Sequence, residues 1–301
     1  MSVKRKQLGF IQLSRTTLWI LIIVLIPLVV VLNNMGSKTE KQSVPETIYK
    51  FDISSLAIGR LGADRWVNLP GSGLIALSVA QKRMPVNRVD VPEHQDFSFS
   101  FRNGMAVTRV VIPATQAQLE LTLDFLDQWL SPVMPDDILV MSGEVDAGML
   151  ESVRTELHKA KGKAVDVAIP APTALSVIAS PPFGSPDQLA MIVAADILSH
   201  RMAGYDLQLR WDHQRTTSYL TLNTTIQPDW LRAPSEQEYV AALQPLKQFA
   251  DVSLRSPAQI HRYLTAMAIY HLPDTFISHQ TERLEALTLQ QVQQVLQSFN
   301  Q

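Results

Sequence analysis

Cysteine is absent from the 301 residues, which excludes disulfides, thiol nucleophiles and Cys-ligated zinc or iron–sulfur centres. Histidine is sparse and badly spaced for metal. His94, His158, His200, His213, His261, His271 and His279 never stand three or four apart, the interval that sets two imidazoles on one helix face. Neither His-Glu-x-x-His nor His-x-x-Glu-His occurs, nor a Gly-x-Ser-x-Gly elbow, a phosphate-cradling Gly-rich loop or a dinucleotide fingerprint. No metal ligand set, catalytic residue or cofactor is therefore read from the sequence. An excess of one charge is lacking too. The formal charge is −2, and Lys4, Arg5, Lys6 and Arg15 contribute +4 of positive charge, leaving −6 on the remainder. A mildly acidic body has no electrostatic footprint for nucleic acid.

One segment lacks polarity altogether. From Leu18 to Leu32 there is no charged or polar side chain, and only Pro27 interrupts the aliphatic run. With Phe10, Ile11 and Leu13 upstream, the segment approaches the roughly 20 apolar residues of a membrane-spanning helix. The basic residues lie before it, whereas Lys38, Glu40, Lys41 and Glu46 nearly cancel after it, so the positive-inside rule keeps the N-terminus in the cytoplasm. The rival is a cleaved signal peptide, but Asn33-Asn34-Met35-Gly36-Ser37 is a poor match to a small-residue cleavage site. The sequence divides into a cytoplasmic tail (1–16), a transmembrane anchor (17–33), a Gly/Ser/Lys/Glu linker (34–50), a β-rich first subdomain (51–160) and a second subdomain (161–301).

Beyond the linker the signals are those of an α+β protein, with strands grouped and helices packed on one face. Gly73–Ala80 is a short apolar run, and Phe97-Ser98-Phe99-Ser100-Phe101 alternates strictly. With the turn at Asn103-Gly104, residues 97–112 predict a hairpin. The Phe97, Phe99 and Phe101 stripe reads as core in preference to a ligand platform. Further strands are predicted over 138–142, 164–169, 174–179, 205–211 and 218–226, and a helix from Asp146 to Lys159. Thr115/Gln118, Ser185/Gln188, Ser235/Glu238, Ser256/Gln259 and Thr288/Gln291 each place a hydroxyl three residues before Glu or Gln. That is the capping-box pattern of a helix start, reinforced by Pro186 and Pro257 at the first helical position.

Two looser constellations contain metal-ligating residue types. Asp196 and His200 stand four apart on a predicted helix, where a solvent-facing pair is the ordinary reading. Glu93, His94 and Asp96 cluster in a polar loop. A Ser-His-Asp site assembled by the fold leaves no spacing signature, and no serine here sits in a distinctive turn.

Three stretches, in order, resemble the C-terminal half-domain of the M16 (pitrilysin-type, insulinase-like) zinc peptidases. Ile138 to Asp146 is similar to the strand and Gly-Asp-Val-like turn that precede that half. Ser185-Pro186-Asp187-Gln188-Leu189 through Ile197-Leu198 resembles its first helix. Tyr270-His271-Leu272-Pro273-Asp274 with Glu282 to Val292 is similar to its Leu-Pro turn and Thr-opened closing helix. The matches span residues 138–301. Active members carry the zinc-binding His-x-x-Glu-His, which is missing here, so the resemblance implies a catalytically inactive module. It also implies a protein partner, because a zinc-bearing half needs a second half to close its peptide chamber. The family's peptide-holding Arg and Tyr map onto Arg210 and Tyr219, although they are nine apart and the usual Gly near the Tyr is missing. The resemblance places the anchor in a bacterial inner membrane and the folded part in the periplasm. It implies a non-catalytic subunit of an active zinc peptidase; the alternative is a periplasmic scaffold in an envelope assembly with no peptidase role.

Overall fold

The structure, a computed structural model, describes residues 56–299 apart from 87–88, 93–94, 206 and 254. The tail, anchor and linker of the sequence reading lie outside the described residues, as do Glu93 and His94. Among the described residues no helix is long and apolar enough to cross a membrane.

Strands β1 (Ile58–Leu61), β2 (Asp64–Asn68), β3 (Leu74–Gln81), β5 (Asp96–Arg102), β6 (Met105–Pro113) and β7 (Ile138–Gly143) form one sheet in the order β1-β2-β7-β3-β6-β5. Its pairs are antiparallel except β2 with β7, which run parallel. Short strands β4 (Arg83–Pro85) and β8 (Ala164–Asp166) pair separately. The β5–β6 hairpin turns at Asn103 and Gly104, whose φ values of 51° and 72° are the left-handed pair a tight hairpin needs.

Helices cover both faces of this sheet, which corrects the expectation of one. On one face α1 (Gln116–Trp129) and α2 (Ala147–Leu157) bring Phe125, Leu126, Leu150 and Val153 onto Leu77, Val79, Leu139 and Met141. On the other, α5 (Pro257–Ile269) lays Ile260, Leu264 and Ala268 against Val67, Val107, Ile138 and Val140. The cause is visible in β7, all six of whose residues are buried: a strand apolar on both sides needs a cover on both sides. The Phe97 ring meets Phe125 and Trp129 of α1 edge-on, with centroids 5.5 and 5.4 Å apart, so the aromatic stripe packs under a helix, half-buried.

The remaining elements are β9 (Ser176–Ala179), α3 (Pro186–Met202), β10 (Arg210–Asp212), β11 (Tyr219–Leu222), α4 (Glu236–Ser253), α6 (Gln280–Glu285) and α7 (Leu289–Ser298). Ten of the 17 residues of α3 are buried, so it is the central helix, packed by α4, α7 and the inner side of a β10-β11-β9 sheet. The strand predicted over 205–211 is shorter than expected. Residues 203–205 form a 3-10 turn with Tyr205 exposed, and pairing starts only at Arg210.

Four of the five predicted caps form. Thr115, Ser185, Ser235 and Thr288 accept from the backbone N–H three residues on, whereas Ser256 makes no side-chain cap bond. Thr288 and Gln291 close a full reciprocal box. Thr288→Ala is expected to cost about 1 kcal/mol, read as a fall of a few degrees in melting temperature.

Candidate peptide-contact face

The β10-β11-β9 sheet has one wet and one dry side because its sequence alternates. Ile178, Trp211, Leu220 and Leu222 point into the core around α3. The opposite side is built by register: Arg210 lies across from Thr221 and Asp212 across from Tyr219, while Thr221 and Tyr219 lie across from Val177 and Ala179. Arg210 and Tyr219 thus share the outer side as diagonal neighbours on adjacent strands, within reach of one extended ligand. They stand nine positions apart because the loop over 213–218 joins the two strands.

That loop is held from outside the sheet. Asn103 N–H donates to His213 C=O at 3.0 Å and Gly104 N–H to Gln214 C=O at 2.7 Å, so the β5–β6 turn grips it. Arg215 Nη2 donates to Ile169 C=O at 3.2 Å. The His213 ring stacks on Trp211 at 5.4 Å and 7°, and its Nδ1 lies 3.1 Å from Ser218 Oγ. Burial pushes the His213 pKa down and the Arg102 charge adds to this, against the pull of Asp212. Arg210 is exposed on an edge strand and Tyr219 half-buried. The site has a base held by backbone hydrogen bonds, with the Arg210 cation exposed on its rim.

The other candidates resolve plainly. His200 is exposed, with Nδ1 2.9 Å from the Asp196 carbonyl and 3.4 Å from its carboxylate, a local helix-surface pair. Asp96 pairs with Arg109 Nη2 at 3.3 Å. Among the described residues no three of His, Asp and Glu gather as a metal site.

Sequence reasoning missed a buried cluster. His261 on α5 is 0% exposed. Its Nε2 lies 2.7 Å from Ser78 Oγ on β3 and its Nδ1 2.9 Å from Ser142 Oγ on β7. Thr265 Oγ1 donates to the His261 carbonyl at 2.8 Å. Burial, with Arg109 and Arg262 adding, lowers the His261 pKa to about 3. Sealed from solvent and with no carboxylate on the ring, this is a neutral bolt joining α5 to the sheet, not an exposed nucleophile. A single histidine in an apolar helix gave no signal of it.

A second unforeseen feature is the ion pair of Asp64 and Arg154. Arg154 Nη1 reaches the Asp64 oxygens at 2.7 and 2.6 Å, and Leu139 N–H donates to Oδ1 at 2.8 Å. Burial pushes the Asp64 carboxyl up against the pull of that N–H and of Arg154. The pair forms the floor of an open groove of about 660 Å³ beside Leu61, Met134, Glu151 and His158.

A mixed sheet covered by helices on both faces, followed by a smaller sheet wrapped on a central helix opened by Ser-Pro-Asp, is the fold of M16-type, insulinase-like peptidase domains, here without His-x-x-Glu-His. The chain is similar to an inactive M16 peptidase domain from Pseudomonas fluorescens, with a TM-score of 0.54 at 12% identity over 81% of this chain and 95% of that one. It is similar as well to the periplasmic protease PqqL of Escherichia coli, with a TM-score of 0.53 at 13% identity over 80% of this chain and 44% of that one. The first half of PqqL alone gives 0.50 at 10% identity, with 81% and 89% covered. At such identities the likeness is one of fold. No family model and no curated protein matches the sequence.

Proposed function

We propose that this protein is a membrane-anchored, non-catalytic M16-like subunit that works beside an active zinc peptidase in a bacterial envelope. The observation that supports this most is a combination: an M16 peptidase-like fold whose sequence lacks His-x-x-Glu-His. In this reading residues 17–33 anchor the chain in the inner membrane, residues 51–160 are a degenerate first half and 161–301 the C-terminal-like half, both in the periplasm. Arg210 and Tyr219 hold the backbone of an extended peptide, the guanidinium donating to carbonyls and the phenol closing the other side. The partner supplies the metal and the hydrolytic water.

The test of the site is peptide capture by the full-length protein together with whatever co-purifies with it. Arg210→Ala is expected to weaken capture about tenfold, the worth of one charge-assisted hydrogen bond. Tyr219→Phe is expected to weaken it less. Both side chains sit on a surface, so neither change should move stability by more than about 0.5 kcal/mol. Unchanged capture in both variants contradicts the assignment of the face.

A further inference from the structure

The edge strands of this fold differ in one respect. β1 carries Arg60, β4 Arg83, β5 Asp96 and Arg102, β8 Asp166, and β10 Arg210 and Asp212. Charge on an edge is the usual guard against unwanted strand pairing. β9 has none, and no charged residue occurs from Val167 to Pro186.

The unguarded edge is also exposed and chemically open. Leu175 and Val177 are 76% and 41% exposed, and Ala179 is exposed beside them. β9 pairs with β11 on one side only. The direction of its free backbone groups follows from the ladder. Ser180 N–H donates to Ser218 C=O at 2.7 Å, continuing the register in which Ala179 faces Tyr219. Bonded and unbonded pairs alternate along an antiparallel ladder, so Ser176, Ile178 and Ser180 turn toward β11. Val177 and Ala179 turn their N–H and C=O outward, where no described backbone group meets them.

We propose that β9 is a pairing edge for a second copy of this chain, the two strands running antiparallel about a two-fold axis and joining two three-stranded sheets into one of six. The edge is its own complement. It is uncharged, so no like charges meet across the axis, and it is β-branched at Val177 and Ile178, which suits a strand. A two-fold axis through any of its residues sets outward-turned groups opposite outward-turned groups, so each free N–H finds a free C=O. The flanking Pro172 and Pro181, which lack N–H donors, confine the pairing to the residues between them. Four paired residues bury far less than the roughly 1,200 Å² of a standard stable interface, so the dimer is concentration-dependent.

The absence of native cysteine makes the test direct. Single cysteines are placed at Val177, Ile178 and Ala179 of the full-length protein in detergent, with Val165→Cys as the control, since Val165 is 48% exposed on β8. A cysteine on the axis lies directly opposite its own copy and comes within disulfide range, whereas one a residue away meets its copy only diagonally. Mild oxidation is expected to link two copies at one of the three positions at least about fivefold more than at Val165. In sedimentation, Val177→Lys should abolish the dimer at unchanged melting temperature, while Val177→Thr keeps it. Equal cross-linking at all four positions, a wild-type chain monomeric at every concentration tested, or a Val177→Lys chain still dimeric overturns the proposal. So does a β9 cysteine that links, in native membranes, only to a different protein.

Discussion

Replacing His261 with leucine is expected to destabilise the folded part by about 3 kcal/mol at pH 7, because it leaves the Ser78 and Ser142 hydroxyls buried without their partner. For a domain of this size that is a fall of roughly 10 °C in melting temperature. The triple variant Ser78→Ala, Ser142→Ala, His261→Leu removes the ring and both hydroxyls that bond it and should recover most of the loss, since Thr265 Oγ1 keeps the carbonyl of residue 261 and no polar group is stranded.

The same residue sets an acid response. In the folded state His261 stays neutral down to about 3, whereas in the unfolded chain it protonates near the ordinary histidine value of about 6.5. Between those values the unfolded state holds the extra proton, so the contribution is complete above about pH 6.5 and declines as pH falls, by up to about 1.4 kcal/mol per unit. The Arg109 and Arg262 charges oppose protonation in the same direction. The difference between wild type and His261→Leu should therefore be largest at pH 7 and close by about pH 4.5. A difference independent of pH means that His261 takes up its proton as readily in the fold as in the unfolded chain, which contradicts its burial as a neutral ring.

The second large effect is expected at Arg154. Its Nη1 neutralises Asp64, of which 3% is exposed, and its Nη2 donates to the Met134 and Asp137 carbonyls at 3.0 and 3.2 Å. Arg154→Met leaves a buried carboxylate with the Leu139 N–H hydrogen bond and only the weaker pull of the Arg65 charge, and should cost about 3–5 kcal/mol. The double variant Asp64→Leu, Arg154→Met should be markedly more stable than Arg154→Met alone, because the desolvated charge is gone. Denaturant midpoints of the three proteins decide it, and a double variant no better than the single one contradicts the account.

What the sequence showed was local. The 97–112 hairpin was legible from alternation plus Asn-Gly, and the Asp146, Ser185 and Thr288 caps from a hydroxyl or carboxylate placed before an apolar-periodic run. The apolar residues of 205–211 predict a longer strand than forms, because pairing needs a neighbour and, among the described residues of that run, it begins at Arg210. Long-range partners were not legible. His261 meets Ser78 across 183 positions, and nothing in the helix around it announces a sheet on its other side, hence the expectation of helices on one face. For the site, the nine-position offset of Tyr219 from Arg210 gives no hint that the two are neighbours. Strand register brings them together all the same, because loop length does not alter which side of a sheet a residue faces. The open edge of β9 shows only once its single partner is known.

The measurement that bears most directly on the functional reading is purification of the tagged full-length protein in mild detergent, with identification of whatever accompanies it in stoichiometric amount. The account predicts a chain bearing His-x-x-Glu-His whose peptidase activity falls when this subunit is removed and returns when it is added back. Envelope proteins without such a chain, or a zinc peptidase indifferent to this subunit, would contradict it.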